Sequence, residues 1–523
     1  MRGTIAKRDG VQSLLEDCCP PMSSHEPHKH SPVRLAEWCA MGFFVALALP
    51  LASSFWGHAS DDAYITYCYA RNWMETGEFL FNSNVSYGIT APGYAMLLGV
   101  LTPLGAPLGL DVPGCGSLLS ILCLLYLTAL LWRFTRDSSS AAIRWLPLMT
   151  GVVLFTMPLA LGMWGSENMV AVSLILTAAV LLFEKDRPLS AGLVAFLGIF
   201  VRMDAGIGAL MIGLVAIARY RRIPWRFGLA GVLPLAIWFP FLHSQFGSIL
   251  PATLEAKRLI LQPGFPTYTA QQFNYMRWAV SEPACWNLLG MSLLGLATAA
   301  LRITRSPRGG AHVATVIALW VLTQEVLYRQ LGIPCGPWYH LVSLFSLLVL
   351  ASTGAMTVGL FAERLIPKGV PQKVCVALLM VVALGPYGLS VFERLSDKWQ
   401  QPLDERFNIY HDLGTYLRQS SEADDLIATA EIGLTAYFAE RPILDLCGLV
   451  SPEVVAATQD GKLAEYVRAQ RPQYIVDNPM FYGNASYRSV LMRTDLKLTY
   501  RMIREFNTPE YRAGPIRLWQ LVE

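Results

Sequence analysis

Long apolar runs recur along most of the chain up to Phe392, with short polar connections between them. A helix that crosses a bilayer needs ~20 mainly apolar residues, and this measure predicts roughly eleven spans. They run approximately over 35–56, 115–134, 143–164, 168–183, 188–201, 205–218, 225–243, 285–301, 311–331, 338–360 and 374–392. The run 90–110 contains Pro92, Pro103 and Pro107, which predicts an interfacial or re-entrant element instead of a span.

The basic residues of the short connections predict an orientation. Five loops carry arginine or lysine, and all five lie on one face of the membrane if the N-terminal leader is also on that face. The positive-inside rule makes that face cytoplasmic. We therefore expect a multi-pass protein of the inner (plasma) membrane whose C-terminal region faces the periplasm or cell exterior. The basic residues are Arg133, Arg136 and Arg144; Lys185 and Arg187; Arg219, Arg221, Arg222 and Arg226; Arg302, Arg305 and Arg308; and Arg364, Lys368 and Lys373.

The composition agrees with an integral membrane protein. Of the 523 residues, 54% are hydrophobic and only 15% are charged. Soluble domains carry about 25% charged residues. The mean hydropathy is +0.40. The net charge of +3 comes without a basic stripe, so nothing indicates a nucleic-acid partner.

The pattern divides the chain into three parts. Residues 1–34 form a polar leader, expected to be disordered and cytoplasmic. Residues 35–394 form the membrane domain, with an external loop over 57–114. In residues 395–523 the charged residues become dense and the apolar runs shrink to strand length, which predicts an extracytoplasmic α/β domain. Strand-like runs lie at 426–430 and 473–476, and helix-like stretches lie at 405–419 and 461–470.

Two adjacent carboxylates, Asp61 and Asp62, follow the first apolar run. Ionisable groups near bilayer depth cost up to roughly 3 kcal/mol each on insertion scales, so they usually line a pathway or a reaction centre. The alternative is that the pair only marks a helix end at the lipid headgroups.

Further polar residues collect on the same predicted outer face. Simpler interpretations exist for four of them. Arg202 and Asp204 can form a structural ion pair, and His340 can be a satisfied interfacial residue. Arg329 can likewise pair with Glu325 on one helix face. Taken together instead of singly, these residues predict a cavity at the outer leaflet with carboxylates on one wall and cations on another. The candidate substrate-binding residues are Arg71, Asn72, Tyr87, Thr90, Glu167, Arg202, Asp204, Lys257, Arg258, Arg329 and His340.

Such a cavity suits a lipid-phosphate donor. Arginine or lysine neutralises a phosphate, and arginine can do so with two parallel hydrogen bonds. A carboxylate can remove the proton of an incoming hydroxyl group. The residues therefore favour transfer of a group from a phosphate to a hydroxyl.

Short motifs follow one another in a recognisable order through the first external loop. They are Asp61-Asp62-Ala63-Tyr64-Ile65-Thr66, Tyr69-Ala70-Arg71-Asn72, Gly77, Leu80-Phe81-Asn82 and Tyr87-Gly88-Ile89-Thr90-Ala91-Pro92-Gly93. This loop resembles that of the GT-C glycosyltransferases, most of all the branch with the mycobacterial terminal arabinofuranosyltransferases and related bacterial cell-envelope enzymes. The likeness continues at Gly165-Ser166-Glu167, Arg202-Met203-Asp204-Ala205-Gly206, Leu250-Pro251-Ala252-Thr253 with Lys257, and Asp445-Leu446-Cys447-Gly448-Leu449.

The resemblance implies a GT-C-like, polytopic α-helical enzyme that takes its sugar from a polyprenyl-phosphate donor at the outer face of the membrane. It places the acidic pair of the family on Asp61 and Asp62. We expect an inverting single displacement in which Asp61 is the base and Asp62 orients the acceptor or holds a cation. The acceptor is expected to be a cell-envelope glycan, lipid or protein. The leaving phosphate is expected to be held by cations among Arg202, Lys257, Arg258 and Arg329.

Two other functions stay open from the sequence. A transporter or flippase of a lipid-linked saccharide would use the same charges as its path, although no internal repeat is visible. A non-catalytic envelope scaffold would need only the tail domain. No cofactor is indicated with certainty. A divalent cation, magnesium or manganese, between the acidic pair and a phosphate is also open.

Overall fold

A computed structural model describes residues 56–81, 89–135, 163–251, 253–260, 270, 283–305, 310–332, 337–365, 404–483, 485–492 and 496–522. The described residues up to Leu365 form helices joined by turns. These helices are α1 (Asp61–Thr76), α2 (Pro92–Gly105), α3 (Val112–Thr135), α4 (Asn168–Phe183), α5 (Pro188–Val201), α6 (Ala205–Tyr220), α7 (Trp225–Phe246), α8 (Thr253–Ile260), α9 (Pro283–Arg305), α10 (Gly310–Leu331) and α11 (Leu341–Leu365).

The helices α3 to α7 and α9 to α11 lie where apolar runs predict spans. Two of the described helices are long and apolar enough to cross a membrane, namely α3 over Val112–Leu130 and α7 over Trp225–Phe246. The others that coincide with predicted spans include shorter apolar helices such as α4, α5 and α6. The predicted spans 35–56, 143–164 and 374–392 fall almost wholly outside the described residues. The span count therefore stays a prediction.

The proline-broken run 90–110 forms α2 and a short 3-10 turn over Ala106–Leu108. Pro92 starts α2, where its missing N–H costs nothing because the first N–H groups of a helix have no partner within the helix. The helix α1 ends at Gly77, whose φ of +77° is the left-handed conformation that glycine adopts without steric cost.

Glycines bring α9 and α11 into close contact. A Cβ atom on Gly295 would lie 1.9 Å from the carbonyl oxygen of Leu350, and one on Gly354 would lie 1.9 Å from that of Met291. Thr298 and Thr357 then reach each other across the same interface, with 3.2 Å between their hydroxyl oxygens. Small residues and hydroxyl pairs are common contacts between membrane helices. Lipid is as apolar as the side chains, so close packing and hydrogen bonds drive the association of the helices instead of the hydrophobic effect.

Residues 404–522 contain a mixed five-stranded sheet. Its strands are β1 (Ile427–Thr429), β2 (Ile443–Asp445), β3 (Tyr474–Asp477), β4 (Tyr500–Phe506) and β5 (Ile516–Leu521), in the order β2-β1-β3-β5-β4. The strands β1, β2 and β3 are parallel to one another. At the edge beyond β3, β5 pairs antiparallel with β3 and β4 pairs antiparallel with β5. The helices of this region are α12 (Phe407–Ser420), α13 (Gly433–Ala439), α14 (Pro452–Gln459), α15 (Leu463–Gln470), α16 (Ala485–Met492) and α17 (Leu496–Thr499).

Both parallel partners of β1 are reached by helical connections. The helix α13 joins β1 to β2, and α14 and α15 join β2 to β3, as parallel strands require. The buried residues Ile427, Ile443 and Val476 place the three parallel strands in the core. The predicted strand-like runs at 426–430 and 473–476 contain β1 and most of β3. The boundaries and the extracytoplasmic location of this region stay predictions.

We expect Gly295→Ala to destabilise the protein by about 1–3 kcal/mol, because the added methyl group overlaps the backbone of α11. Gly290→Ala is the matched control on the same helix, since a Cβ there meets no atom within 4 Å. The measurement is the thermal unfolding midpoint of each variant in detergent. Equal midpoints for the two variants would contradict the close packing of α9 on α11.

Candidate active site

A cavity of about 60 Å³ lies beside α1, where four other elements meet it. It is large enough for several water molecules. Its walls come from the first turn of α1, the start of α4, the end of α5, the start of α8 and the 3-10 turn Pro337–His340. Five of the predicted site residues line it: Asp62, Thr90, Glu167, Arg202 and Lys257.

Asp62 and Lys257 face each other in this cavity. The Oδ2 atom of Asp62 lies 3.9 Å from the Nζ atom of Lys257, and the Asp62 side chain is 34% exposed. Lys257 also donates a hydrogen bond of 3.0 Å to the hydroxyl oxygen of Tyr339, and its ammonium lies 5.4 Å from the centre of that ring. An open carboxylate and an oriented cation thus share one space, which is what proton removal beside an anion requires.

Arg202 holds two carboxylates beside the same cavity, and its guanidinium lies 5.9 Å from the centre of the Tyr339 ring that also orients Lys257. Its guanidinium donates to Glu167 through Nη1, and its Nε donates to Asp204 over 2.7 Å. The second oxygen of Asp204 accepts a hydrogen bond of 2.5 Å from the hydroxyl of Tyr328. The predicted Arg202–Asp204 ion pair is therefore present, and Glu167 extends it to a three-residue cluster. A buried arginine shared by two carboxylates is geometrically fixed, so it shapes the wall of the cavity.

Glu167 is positioned by the turn that precedes α4. Gly165 has a φ of +77°, and its carbonyl oxygen accepts hydrogen bonds from the hydroxyls of Tyr67 (2.9 Å) and Tyr94 (2.8 Å). The backbone N–H of Gly165 donates to the Oγ atom of Ser120 over 2.9 Å. All of these contacts are buried, so the turn has little freedom and Glu167 stays aimed at Arg202.

Asp61 points away from the cavity, contrary to the expectation that it acts as the base. Its side chain is 2% exposed and accepts hydrogen bonds from the backbone N–H groups of Gly433 (3.2 Å) and Leu434 (2.8 Å) at the first turn of α13. An α-helix has 3.6 residues per turn, so the side chains of adjacent residues point in directions about 100° apart. Asp62 therefore faces the cavity while its neighbour faces the C-terminal region.

A charged cluster surrounds Asp61 on the C-terminal side. The backbone N–H of Asp61 donates to Asp404 over 3.2 Å, and Arg406 binds both Asp404 and Glu431 with pairs of hydrogen bonds. Burial raises the pKa of Asp61 well above its ordinary value, and the nearby Glu431 carboxylate raises the pKa further. Arg406 and the N–H of Leu434 act in the opposite direction without cancelling the rise.

Two other predicted binding residues also serve the structure. Arg71 donates to the carbonyl oxygen of Tyr437 over 2.8 Å and lies 3.4 Å from a carboxylate oxygen of Glu440. The side-chain amide of Asn72 donates to the carbonyl oxygens of Leu80 (2.8 Å) and Phe81 (3.0 Å), which fixes the loop after α1. Neither residue lines the cavity.

The remaining predicted residues either lie outside the cavity or are not among the residues and side chains that the structure describes. His340 is buried with its Nδ1 atom 3.5 Å from a carboxylate oxygen of Glu325, the residue whose spacing also suggested a pair with Arg329. Arg329 is an exposed residue near the end of α10. Tyr87 and the side chain of Arg258 lie outside the described residues.

The cavity also contains three residues that were not among the predicted site residues. Tyr339 orients Lys257, Thr253 meets Thr90 with 3.3 Å between their hydroxyl oxygens, and Leu449 comes from the C-terminal region. Tyr339 directly precedes the predicted residue His340 in the sequence. Thr253 and Leu449 each end a motif that contributes to the family resemblance, so the sequence did mark the stretches that contain them.

The open question of a divalent cation has a partial structural answer. Among the residues that the structure describes, no group of three or more His, Cys, Asp or Glu side chains is arranged to hold a metal ion. Asp62 meets Lys257, and Glu167 meets Arg202, so each cavity carboxylate already faces a positive side chain. The described residues of this cavity therefore do not fit a divalent cation.

Residues 399–519 match a family model described as Domain of unknown function (DUF8728). No curated protein matches the chain.

Solved structures similar to this chain cover nearly its whole length. ArnT from Cupriavidus metallidurans in the apo state has a TM-score of 0.59 at 12% identity, covering 92% of this chain and 98% of that one. The same protein bound to undecaprenyl phosphate has a TM-score of 0.58 at 12% identity, covering 93% and 98%. The Archaeoglobus fulgidus oligosaccharyltransferase has a TM-score of 0.56 at 11% identity, covering 91% of this chain and 74% of its own. The chain therefore shares the fold of these proteins.

We expect the stability of the protein to fall as pH rises from the ordinary carboxyl pKa towards the raised pKa of Asp61. The folded state holds this proton more tightly than the unfolded chain, so deprotonation costs folding free energy over that window. Asp61→Asn cannot titrate and should show a flatter dependence. The measurement is the thermal unfolding midpoint of both proteins between mildly acidic and alkaline pH. Parallel curves would contradict a raised pKa of Asp61 in the folded state.

Proposed function

We propose that this GT-C-fold protein is an inverting glycosyltransferase, which moves a sugar from a polyprenyl-phosphate donor to a cell-envelope acceptor at the outer face of the membrane. The single observation that carries the proposal is the pairing of Asp62 with Lys257 inside the cavity. The shared fold supports the reaction class, and one similar structure, that of ArnT, is bound to undecaprenyl phosphate. The likeness of the first external loop supports the arabinofuranosyltransferase branch as the finer assignment.

Asp62 is the base in this proposal, in place of Asp61. It lines the cavity and is partly open, whereas Asp61 is buried and occupied by the backbone of α13. Glu167 also lines the cavity, but it is only 7% exposed and its Oε1 atom accepts a hydrogen bond from the buried Arg202. A base must reach the proton it removes, and Asp62 meets this condition best.

The reaction is a single displacement at the anomeric carbon of the donor. Asp62 takes the proton of the acceptor hydroxyl, and the acceptor oxygen forms the new bond to that carbon. The bond from the carbon to the phosphate oxygen breaks, and polyprenyl phosphate leaves with the electron pair. The phosphate carries its own charge as it leaves, so the reaction needs no separate acid.

Lys257 is the cation that meets the leaving phosphate. Its ammonium is oriented by the hydroxyl and the ring of Tyr339, which leaves it directed into the cavity beside Asp62. A fixed cation in a partly dry site stabilises the charge that develops on the leaving group, without reorganising during the reaction. Arg202 lines the same cavity but is shared by Glu167 and Asp204, so we assign it to the shape of the site.

Asp62→Asn should lower sugar transfer by about 10²–10⁴-fold, because the amide cannot accept the proton. The measurement is the release of free polyprenyl phosphate by detergent-purified protein from a panel of radiolabelled polyprenyl-phosphate sugars. Each donor is tested with and without an extract of envelope glycolipids as acceptor.

Asp61→Asn is the matched comparison, one residue away with the same chemical change. It should retain far more transfer than Asp62→Asn at equal thermal stability. Equal losses in two well-folded variants would show that the two roles are wrongly assigned. Lipid translocation in vesicles without release from any donor would favour the flippase.

Lys257→Gln should slow transfer by at least about 10²-fold, the usual loss when one fixed charge or donor is removed from a developing anion. Lys257→Arg keeps the charge and should recover part of the rate. Thr253→Val removes a hydroxyl from the same helix without a change of charge and should have a much smaller effect. Activity of Lys257→Gln equal to that of Thr253→Val would rule out a phosphate role for Lys257.

A further inference from the structure

A second cavity lies at the opposite end of the helices that build the candidate active site. It has a volume of about 330 Å³ and is formed where α4 meets α5 and where α6 meets α7. The helices α4, α5 and α6 each have one end at the candidate active site and the other at this cavity. The helix α6 has 16 residues, which span about 24 Å at 1.5 Å per residue. The two cavities are therefore separated by most of the ~30 Å hydrocarbon thickness of a bilayer.

The residues of this cavity have the chemistry of an anion site. Arg222 and Arg226 supply two positive charges, and Asp186 is the one acid among the described residues that line it. The cavity also includes the first turn of α7, a 22-residue helix whose N-terminal end favours negative charge. The guanidinium of Arg226 lies 5.2 Å from the centre of the Trp225 ring, which holds it at the mouth of the cavity.

The surroundings of the two arginines are apolar and exposed. Ile223 is 73% exposed and Trp225 is 60% exposed, although both are large hydrophobic side chains. Tryptophan is enriched at the level of the lipid headgroups, where its ring is apolar on one side and polar on the other. These exposed apolar side chains would contact the acyl chains of a lipid whose headgroup binds here. A soluble phosphate has no acyl chains to make this contact.

We propose that this cavity, lined by Arg222, Arg226, Trp225, Tyr220 and Asp186, binds the phosphate of an anionic phospholipid headgroup. The loops that form it carry basic residues and lie on the face that the positive-inside rule makes cytoplasmic. Basic pockets between membrane helices on that side bind anionic headgroups. The lipid anchors the bundle in the leaflet opposite the candidate active site, and this role does not depend on the proposed reaction.

The test measures lipid retained by the purified full-length protein in native mass spectrometry. The probes are palmitoyl-oleoyl phosphatidylglycerol, phosphatidylcholine with the same acyl chains, and soluble glycerol phosphate. We expect binding of phosphatidylglycerol over phosphatidylcholine, and a loss of about tenfold in affinity in the double variant Arg222→Gln/Arg226→Gln. The control is Lys185→Gln/Arg187→Gln, which removes two charges that flank Asp186 without lining the cavity and should retain the lipid.

The variant Asp186→Asn is an independent test, because it should raise the affinity for phosphatidylglycerol instead of lowering it. Asp186 has a φ of +48°, a conformation that asparagine also tolerates, so the variant should fold normally. Loss of the one carboxylate should increase phosphatidylglycerol binding. The proposal is overturned by equal binding of the two phospholipids, by equal losses in the two double variants, or by no gain in Asp186→Asn. Binding of glycerol phosphate as tight as that of the lipid would also overturn it, since the ligand would then be a free phosphate ester.

Discussion

The buried carboxylate of Asp61 is the contact on which the arrangement of the candidate active site depends. It accepts hydrogen bonds from two backbone N–H groups of α13, and Gly433 approaches so closely that a Cβ there would lie 1.9 Å from the Asp61 carbonyl oxygen. Tyr64 packs against Tyr437 and Phe438 beside this contact. The C-terminal region is thereby held against α1, so the direction of Asp62 and the position of Leu449 in the cavity are set together.

The charged residues of the candidate active site form two groups that differ in how tightly they are paired. In one group Arg202 is enclosed by Glu167 and Asp204, and Tyr328 donates a hydrogen bond to Asp204. A buried charge is tolerated only when it is paired and hydrogen-bonded, and this group satisfies that condition. In the other group Asp62 and Lys257 have a longer separation of 3.9 Å, and Asp62 is partly exposed. The proposed reaction therefore assigns the tightly paired group to the shape of the site and the looser pair to the substrate.

The positions of many helices were predictable because the hydrophobicity of a segment is recorded in its own residues. Apolar runs predicted the positions of α3 to α7 and α9 to α11. Strand-like runs at 426–430 and 473–476 marked β1 and β3 for a similar local reason. The order of the strands was not predictable, because β5 enters the sheet beside β3 from the far end of the chain.

For the candidate site, the sequence by itself determined which residue types occur near which helix ends: an acidic pair at the start of α1, Glu167 before α4, and Lys257 on α8. Only the tertiary structure decided their partners. Asp61 and Asp62 are alike in sequence, but one residue of helical rotation sends them to different neighbours. Lys257 meets Tyr339, 82 residues away, and Arg202 meets Glu167, 35 residues away. Contacts between distant residues depend on how helices pack, and no local pattern records that packing.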